Sequence, residues 1–188
     1  MGLASFGEWS LLDQEDQFHL GLVGSDHRNP PSHGFLKLYV DAAVIGGSKH
    51  VGIGAVVRNS NDEVIGALSS ALTGGFTPFA AECLALREGL QFAKSLGVDS
   101  LDVEPDAYNV VLEVLNGLEF VAESPMEDDI RLLLSDFSKA NVVHIRWTAN
   151  SVAHILSQFG YNSCKLHSWM NETPFLVSTA VSLDYNAQ

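Results

Sequence analysis

The chain has 188 residues, 46% of them hydrophobic, with 23 acidic against 10 basic side chains and a formal net charge of −13. That length suits one domain plus tails, no apolar run approaches the ~20 residues of a membrane span, and the acidic balance favours cation binding over a strong phosphate-binding patch. The N-terminus has no basic region ahead of an apolar core, and Glu8, Asp13, Glu15 and Asp16 oppose an acid-poor transit peptide, so an intracellular protein of the nucleus or cytoplasm is expected.

Residues 1–34 are weakly patterned and end in the turn-rich NPPSHG. They read as an N-terminal extension or linker, with room for a short helix around Leu11–Phe18. FLKLYVD (Phe35–Asp41) alternates, with Leu36, Leu38 and Val40 on one face and Lys37, Tyr39 and Asp41 on the other, as a strand does. A glycine-rich turn leads to VGIGAVVRN (Val51–Asn59), and Asn61-Asp62 joins it hairpin-fashion to EVIGALSSAL (Glu63–Leu72). The central helix is TPFAAECLALREGLQFAKSL (Thr77–Leu96). Thr77 can cap it, Pro78 suits its first turn because the missing N–H would have no partner there, and Gly97 stops it. Cys83, Leu86, Leu90 and Ala93 form its apolar stripe. Ser100–Asp106 is a short strand, followed by the helix AYNVVLEVLNG and another from about Pro125 with Ile130, Leu133, Leu134 and Phe137 as its stripe. Asn141–Trp147 is a last strand, and Asn150 is placed to cap a helix with Val152, Ile155, Leu156 and Phe159 inward. The order β-β-β-α-β-α-α-β-α predicts an α/β domain over 35–160, a mixed sheet flanked by helices. Residues 161–188 form a tail packed on it or trailing it. Cys83 and Cys164 lack metal-ligand spacing and are expected to be reduced thiols.

Three acids fall at element ends: Asp41 after the first strand, Glu82 in the central helix, and Asp106 between a strand and a helix. Glu82 lies one turn from both Phe79 and Leu86 and so borders the buried face. A carboxylate there is costly to desolvate unless a cation receives it. Position alone also allows simpler roles: Asp106 as an N-cap, Asp41 as a turn residue, and Glu82 as an acid favoured by the helix dipole.

The segments KLYVDAA, GIGAVVRNSNDEVIGA, AECLALREGL, VEPDAYNVV and HIRWTANSVAHIL occur in an order and spacing that resembles the plant-type ribonuclease H-like domain of the reverse-transcriptase-associated group. The lead-in PPSHGFLKLYVD and the tail NETPFLVSTAVSLDYN are similar too, so the resemblance covers roughly Asn29–Asn186. It implies a five-stranded sheet, an antiparallel meander plus parallel strands, and metal-dependent endonucleolytic hydrolysis of the RNA strand of RNA–DNA hybrids. By the same resemblance Asp41 is the acid of the N-x-D motif, Glu82 that of A-E-x-x-A-L, and Asp106 that of E-x-D, and these three are the implied catalytic residues and metal ligands. Mg2+ is the implied cation, with Mn2+ as the alternative. Two such ions about 4 Å apart can activate a water and stabilise the leaving 3′ oxygen.

The chain departs from the pattern in places. The fourth acid, the D of A-D-x-L-A, is His154, which removes a hard ligand and implies low activity. The R-E before the last helix is Trp147-Thr148, and the first motif reads DAA rather than DGA. Trp147 and Arg146 are candidate substrate contacts, although packing is the simpler expectation for Trp147 and Trp169. His144 reads as a structural histidine and Glu104 as a solvated strand residue. Besides the hybrid ribonuclease, the sequence leaves open a non-catalytic nucleic-acid-binding module and a protein-interaction domain of retroelement origin. Weak binding to hybrid, no membrane contact and a monomer are expected.

Overall fold

The structure, a computed structural model, describes residues 18–25, 29, 31, 33–116 and 125–186. Seven strands form one sheet: β1 (Phe18–Ser25), β2 (Leu36–Ala43), β3 (His50–Arg58), β4 (Val64–Thr73), β5 (Ser100–Pro105), β6 (Lys139–Ile145) and β7 (His167–Met170), in the order β1-β6-β5-β2-β3-β4-β7. β2, β3 and β4 are the expected antiparallel meander, and β2, β5 and β6 run parallel. The five strands read from the sequence are therefore the centre of the sheet, and one strand is added at each edge. β1 pairs parallel with β6 and β7 antiparallel with β4. The helix considered over Leu11–Phe18 lies outside the described residues, except for Phe18, which opens β1.

Helix α1 (Pro78–Ser95) begins as its sequence dictates. Thr77 Oγ1 accepts the Ala80 N–H at 3.2 Å, Pro78 occupies the first turn, and Gly97 follows the helix at φ +75°. The helix is buried beyond one stripe. Ala81, Leu84, Ala85 and Phe92 are enclosed together with Cys83, Leu86, Leu90 and Ala93, and a Cβ on Gly89 would come within 2.4 Å of Val40 Cγ1. Helices α2 (Tyr108–Asn116) and α3 (Pro125–Ser135) join it on one face of the sheet, over Leu38, Val40, Ile53, Ala55, Leu101 and Val103. Full burial of a leucine such as Leu86 or Leu90 contributes about 2 kcal/mol.

The opposite face carries α4 (Ser151–Ser163), whose Val152, Ala153 and Leu156 pack with Tyr39, Val56 and Ala67. Two glycines set how close it comes. A Cβ at Gly54 would lie 2.1 Å from the Ala153 carbonyl oxygen and 2.5 Å from the Ser157 nitrogen, and one at Gly52 would strike Ser157 and Tyr161 equally hard. The helix backbone thus rests on the strand backbone, which no other residue type permits.

The C-terminal segment ends in α5 (Ser178–Asn186), where Asp184 Oδ2 accepts from Arg58 Nη2 at 2.9 Å. Arg58 is only 1% exposed, lies 3.3 Å from Asp62, and stands over the Tyr39 ring at 5.9 Å. Among the described residues no helix is long and apolar enough to cross a membrane.

Candidate metal centre

The three acids converge. One carboxylate oxygen from each of Asp41, Glu82 and Asp106 lies within 4.8 Å of the other two. Asp41 stands near the C-terminal end of β2, Asp106 directly after the neighbouring parallel β5, and Glu82 early in α1. Parallel pairing of β2 with β5 brings the two strand ends side by side, and the Gly89 contact holds α1 against β2.

Burial acts on all three, and neighbouring acids add repulsion at Glu82 and Asp41. Glu82 is pushed up to about 9, first by desolvation, then by the charges of Asp41 and Asp106, against one hydrogen bond from the Ala42 backbone. Asp41 is raised by burial and by Asp106, opposed by hydrogen bonds from Ser157 and His154. Asp106 is raised by burial and opposed by hydrogen bonds, the first from Asn150, and by the charges of His144 and His154. The basic groups opposing the shifts are thus two histidines rather than a lysine or arginine. Three crowded, partly desolvated carboxylates with hard oxygen donors fit a divalent cation such as Mg2+ or Mn2+.

The surroundings hold these acids in place. Asn150, 1% exposed, donates Nδ2–H to the Val40 carbonyl at 2.7 Å and hydrogen-bonds Asp106. It stands at the N-cap position of α4 but makes no side-chain cap bond, so the capping role expected from the sequence is replaced by a bracket between β2 and Asp106. His144 Nε2 meets the Asp106 carbonyl at 3.1 Å, and its ring takes Tyr108 edge-on at 5.3 Å, the structural role expected of it.

On the α4 side, His154 Nδ1 lies 3.3 Å from Asp41 Oδ2, and Gln158 Nε2 lies 2.9 Å from His154 Nε2. Ser157, fully buried, directs its hydroxyl to the same Asp41 Oδ2. Ser157 escaped the sequence reading. Its signal was the three-residue step from His154, which places both on one side of α4.

Two expectations are corrected. Trp147 does not pack: it is 75% exposed on a 3-10 turn (Trp147–Ala149) whose inward positions go to Ala149 and Asn150. Arg146, just before it, is also exposed. Glu104 is not solvated: it is 8% exposed and takes Lys37 Nζ at 2.5 Å. Trp169 is half-buried against the α4 face, beside His167 and Phe159.

An open mixed sheet flanked by helices, with acids gathered at the ends of two parallel strands, defines a ribonuclease H-like domain. The chain belongs to the reverse transcriptase-like family, whose profile matches residues 39–160, more than half of its length. No curated protein matches the sequence. Among solved structures, ribonuclease H1 of the archaeon Halobacterium salinarum is similar with a TM-score of 0.61 at 18% identity, over 68% of this chain and 98% of that one. An N-terminal ribonuclease H domain of Mycobacterium tuberculosis gives 0.60 at 21%, over 69% and 94%. The LC11 ribonuclease H1, solved in complex with an RNA/DNA hybrid, gives 0.58 at 20%, over 68% and 97%.

Proposed function

We propose that this chain is a plant-type member of its family that hydrolyses the RNA strand of RNA–DNA hybrids. A divalent cation, Mg2+ with Mn2+ as the alternative, is held by Asp41, Glu82 and Asp106, and His154 stands at the fourth position of the site. The observation that carries this reading is the convergence of three carboxylates within 4.8 Å without a lysine or arginine opposing their raised pKa values. When bound, such a cation polarises a phosphoryl oxygen and lowers the pKa of a water.

The chain's own residues orient the reaction. Two strand ends and a helix fix the carboxylates, Asn150 and the Asp106 backbone contact of His144 hold Asp106 in place, and Ser157 and His154 hold Asp41. Trp147 and Arg146, exposed just before Asn150, are placed to contact a strand entering the site. Selection for RNA rests on the shape of the hybrid and its 2′-hydroxyls. The hybrid held by the LC11 enzyme supports this substrate class.

The test is cleavage of a labelled RNA–DNA hybrid in Mg2+ and in Mn2+, with Asp41→Asn as control. Cleavage of the RNA strand that is lost in the variant supports the reading. The histidine in place of a fourth acid favours a second one, a binding module with negligible turnover. Hybrid binding without cleavage in either metal would select it.

A further inference from the structure

We infer that the centre is built for one cation rather than two, because α4 engages one of the two carboxylate oxygens of Asp41. This rests on the proposed metal site and concerns how many ions it holds. An ionised carboxylate has about two acceptor positions on each oxygen. Both positions on Asp41 Oδ2 are taken from α4, one by His154 Nδ1 at 3.3 Å and the other by the Ser157 hydroxyl. The Ser157 proton also has the His154 carbonyl within 2.8 Å, but an ionised carboxylate is the stronger acceptor. Oδ1 is therefore the open oxygen of Asp41. With a single open oxygen it cannot place one oxygen on each of two ions, and a pair about 4 Å apart would crowd both onto Oδ1.

His154 does not replace the missing ligand. With the proton on Nδ1, the tautomer that a carboxylate 3.3 Å away favours, the Nε2 lone pair accepts from the Gln158 amide at 2.9 Å. Turning that amide over would present its oxygen and require a proton on Nε2, so neither arrangement leaves the ring a lone pair for a metal. His154 and Ser157 are thus positioning residues for Asp41. They aim it at a single ion and fill the neighbouring space with N–H and O–H donors.

The experiment is equilibrium binding of Mn2+ to the full chain, reading free ion by electron paramagnetic resonance, at ion concentrations high enough to fill a weak second site. Wild type is expected to bind one ion per chain, lost in Asp41→Asn. The double variant His154→Asp, Ser157→Ala frees Oδ2 and supplies an acid, and is expected to bind two. Should that variant fail to fold by circular dichroism, the wild-type stoichiometry decides by itself. Two ions in wild type, both lost in Asp41→Asn, overturn the single-ion inference and leave the metal site standing. No Asp41-dependent ion overturns both.

Discussion

Two groups of buried acids contrast in this domain. Along β2 and β5, Glu104 is 8% exposed and receives Lys37, which also donates to the Asn29 carbonyl. On β3, Arg58 lies between Asp62 and Asp184. At the C-terminal ends of β2 and β5, Asp41 is just as buried at 6%, but it faces two other carboxylates and a histidine. Burial raises both Glu104 and Asp41, but the opposing charge at Glu104 is a lysine of the chain itself, while Asp41 faces further repulsion from Asp106. In the first setting each acid faces a cation of the chain itself. In the second, no lysine or arginine among the described residues opposes the raised pKa values, the pattern of a candidate site rather than of a structural ion pair.

The largest expected effect comes from breaking the second setting. Asp41→Asn should reduce hybrid cleavage by more than the 10–100-fold typical of losing an outer-shell group, because it removes a ligand outright. Single-turnover cleavage in Mg2+ measures this, and a variant within about twofold of wild type would remove Asp41 from the mechanism. The first setting should respond in the opposite way. Lys37→Met leaves Glu104 buried without its cation, so it should cost about 3–5 kcal/mol of stability, read by urea unfolding. Cleavage per folded molecule should be nearly unchanged.

The same contrast explains what the sequence disclosed. Strand ends, helix caps and the apolar stripe of α1 are local properties, so the three acids could be placed at the ends of the right elements. The alternation in β2 assigned Lys37, Tyr39 and Asp41 to one face, but it could not reveal that this face is also enclosed. That depends on the register pairing Tyr39 with Glu104 and on the close approach of α4. The roles of Asn150 and Ser157 depend on tertiary contacts more than 100 residues apart. β1 was missed for a related reason: its partner, Ala140–Val143 of β6, lies far along the chain and leaves no local signal.

A third prediction sharpens the contrast through pH. Glu82 keeps its proton in the folded chain up to about pH 9, whereas the unfolded chain loses it near the ordinary glutamate value of 4.5. The folded state therefore binds more protons across that window, so its stability must fall as pH rises from 4.5 to 9. Melting temperatures in EDTA should decline over this range. Glu82→Gln should flatten the decline without abolishing it, since Asp41, Asp106 and Glu104 are raised as well. Near pH 9 the variant should melt a few degrees above wild type, about 2–4 °C for each kcal/mol recovered in a chain of this size. Identical slopes would mean that neither burial nor its acidic neighbours raise Glu82.

The smallest effect is expected at the rim. Among the described residues, Lys37 and Arg58 are buried in ion pairs, and Arg87, Lys94 and Arg131 are tied to acids. Phosphate contacts are thus scarce, and salt-insensitive stacking becomes the more useful source of affinity for nucleic acid. Trp147 replaces a basic residue of the family pattern and is 75% exposed on the turn that leads to Asn150. Base stacking on an aromatic ring contributes about 1–3 kcal/mol, and a ring held at one edge belongs at the low end, about fivefold in affinity. Trp147→Ala should weaken hybrid binding by that factor at both low and moderate salt and leave the melting temperature unchanged, because the side chain packs on little. Fluorescence anisotropy of a labelled hybrid at two salt concentrations measures it. A loss that vanishes in moderate salt would assign the contact to charge on Arg146 instead, and a lower melting temperature would return Trp147 to a packing role.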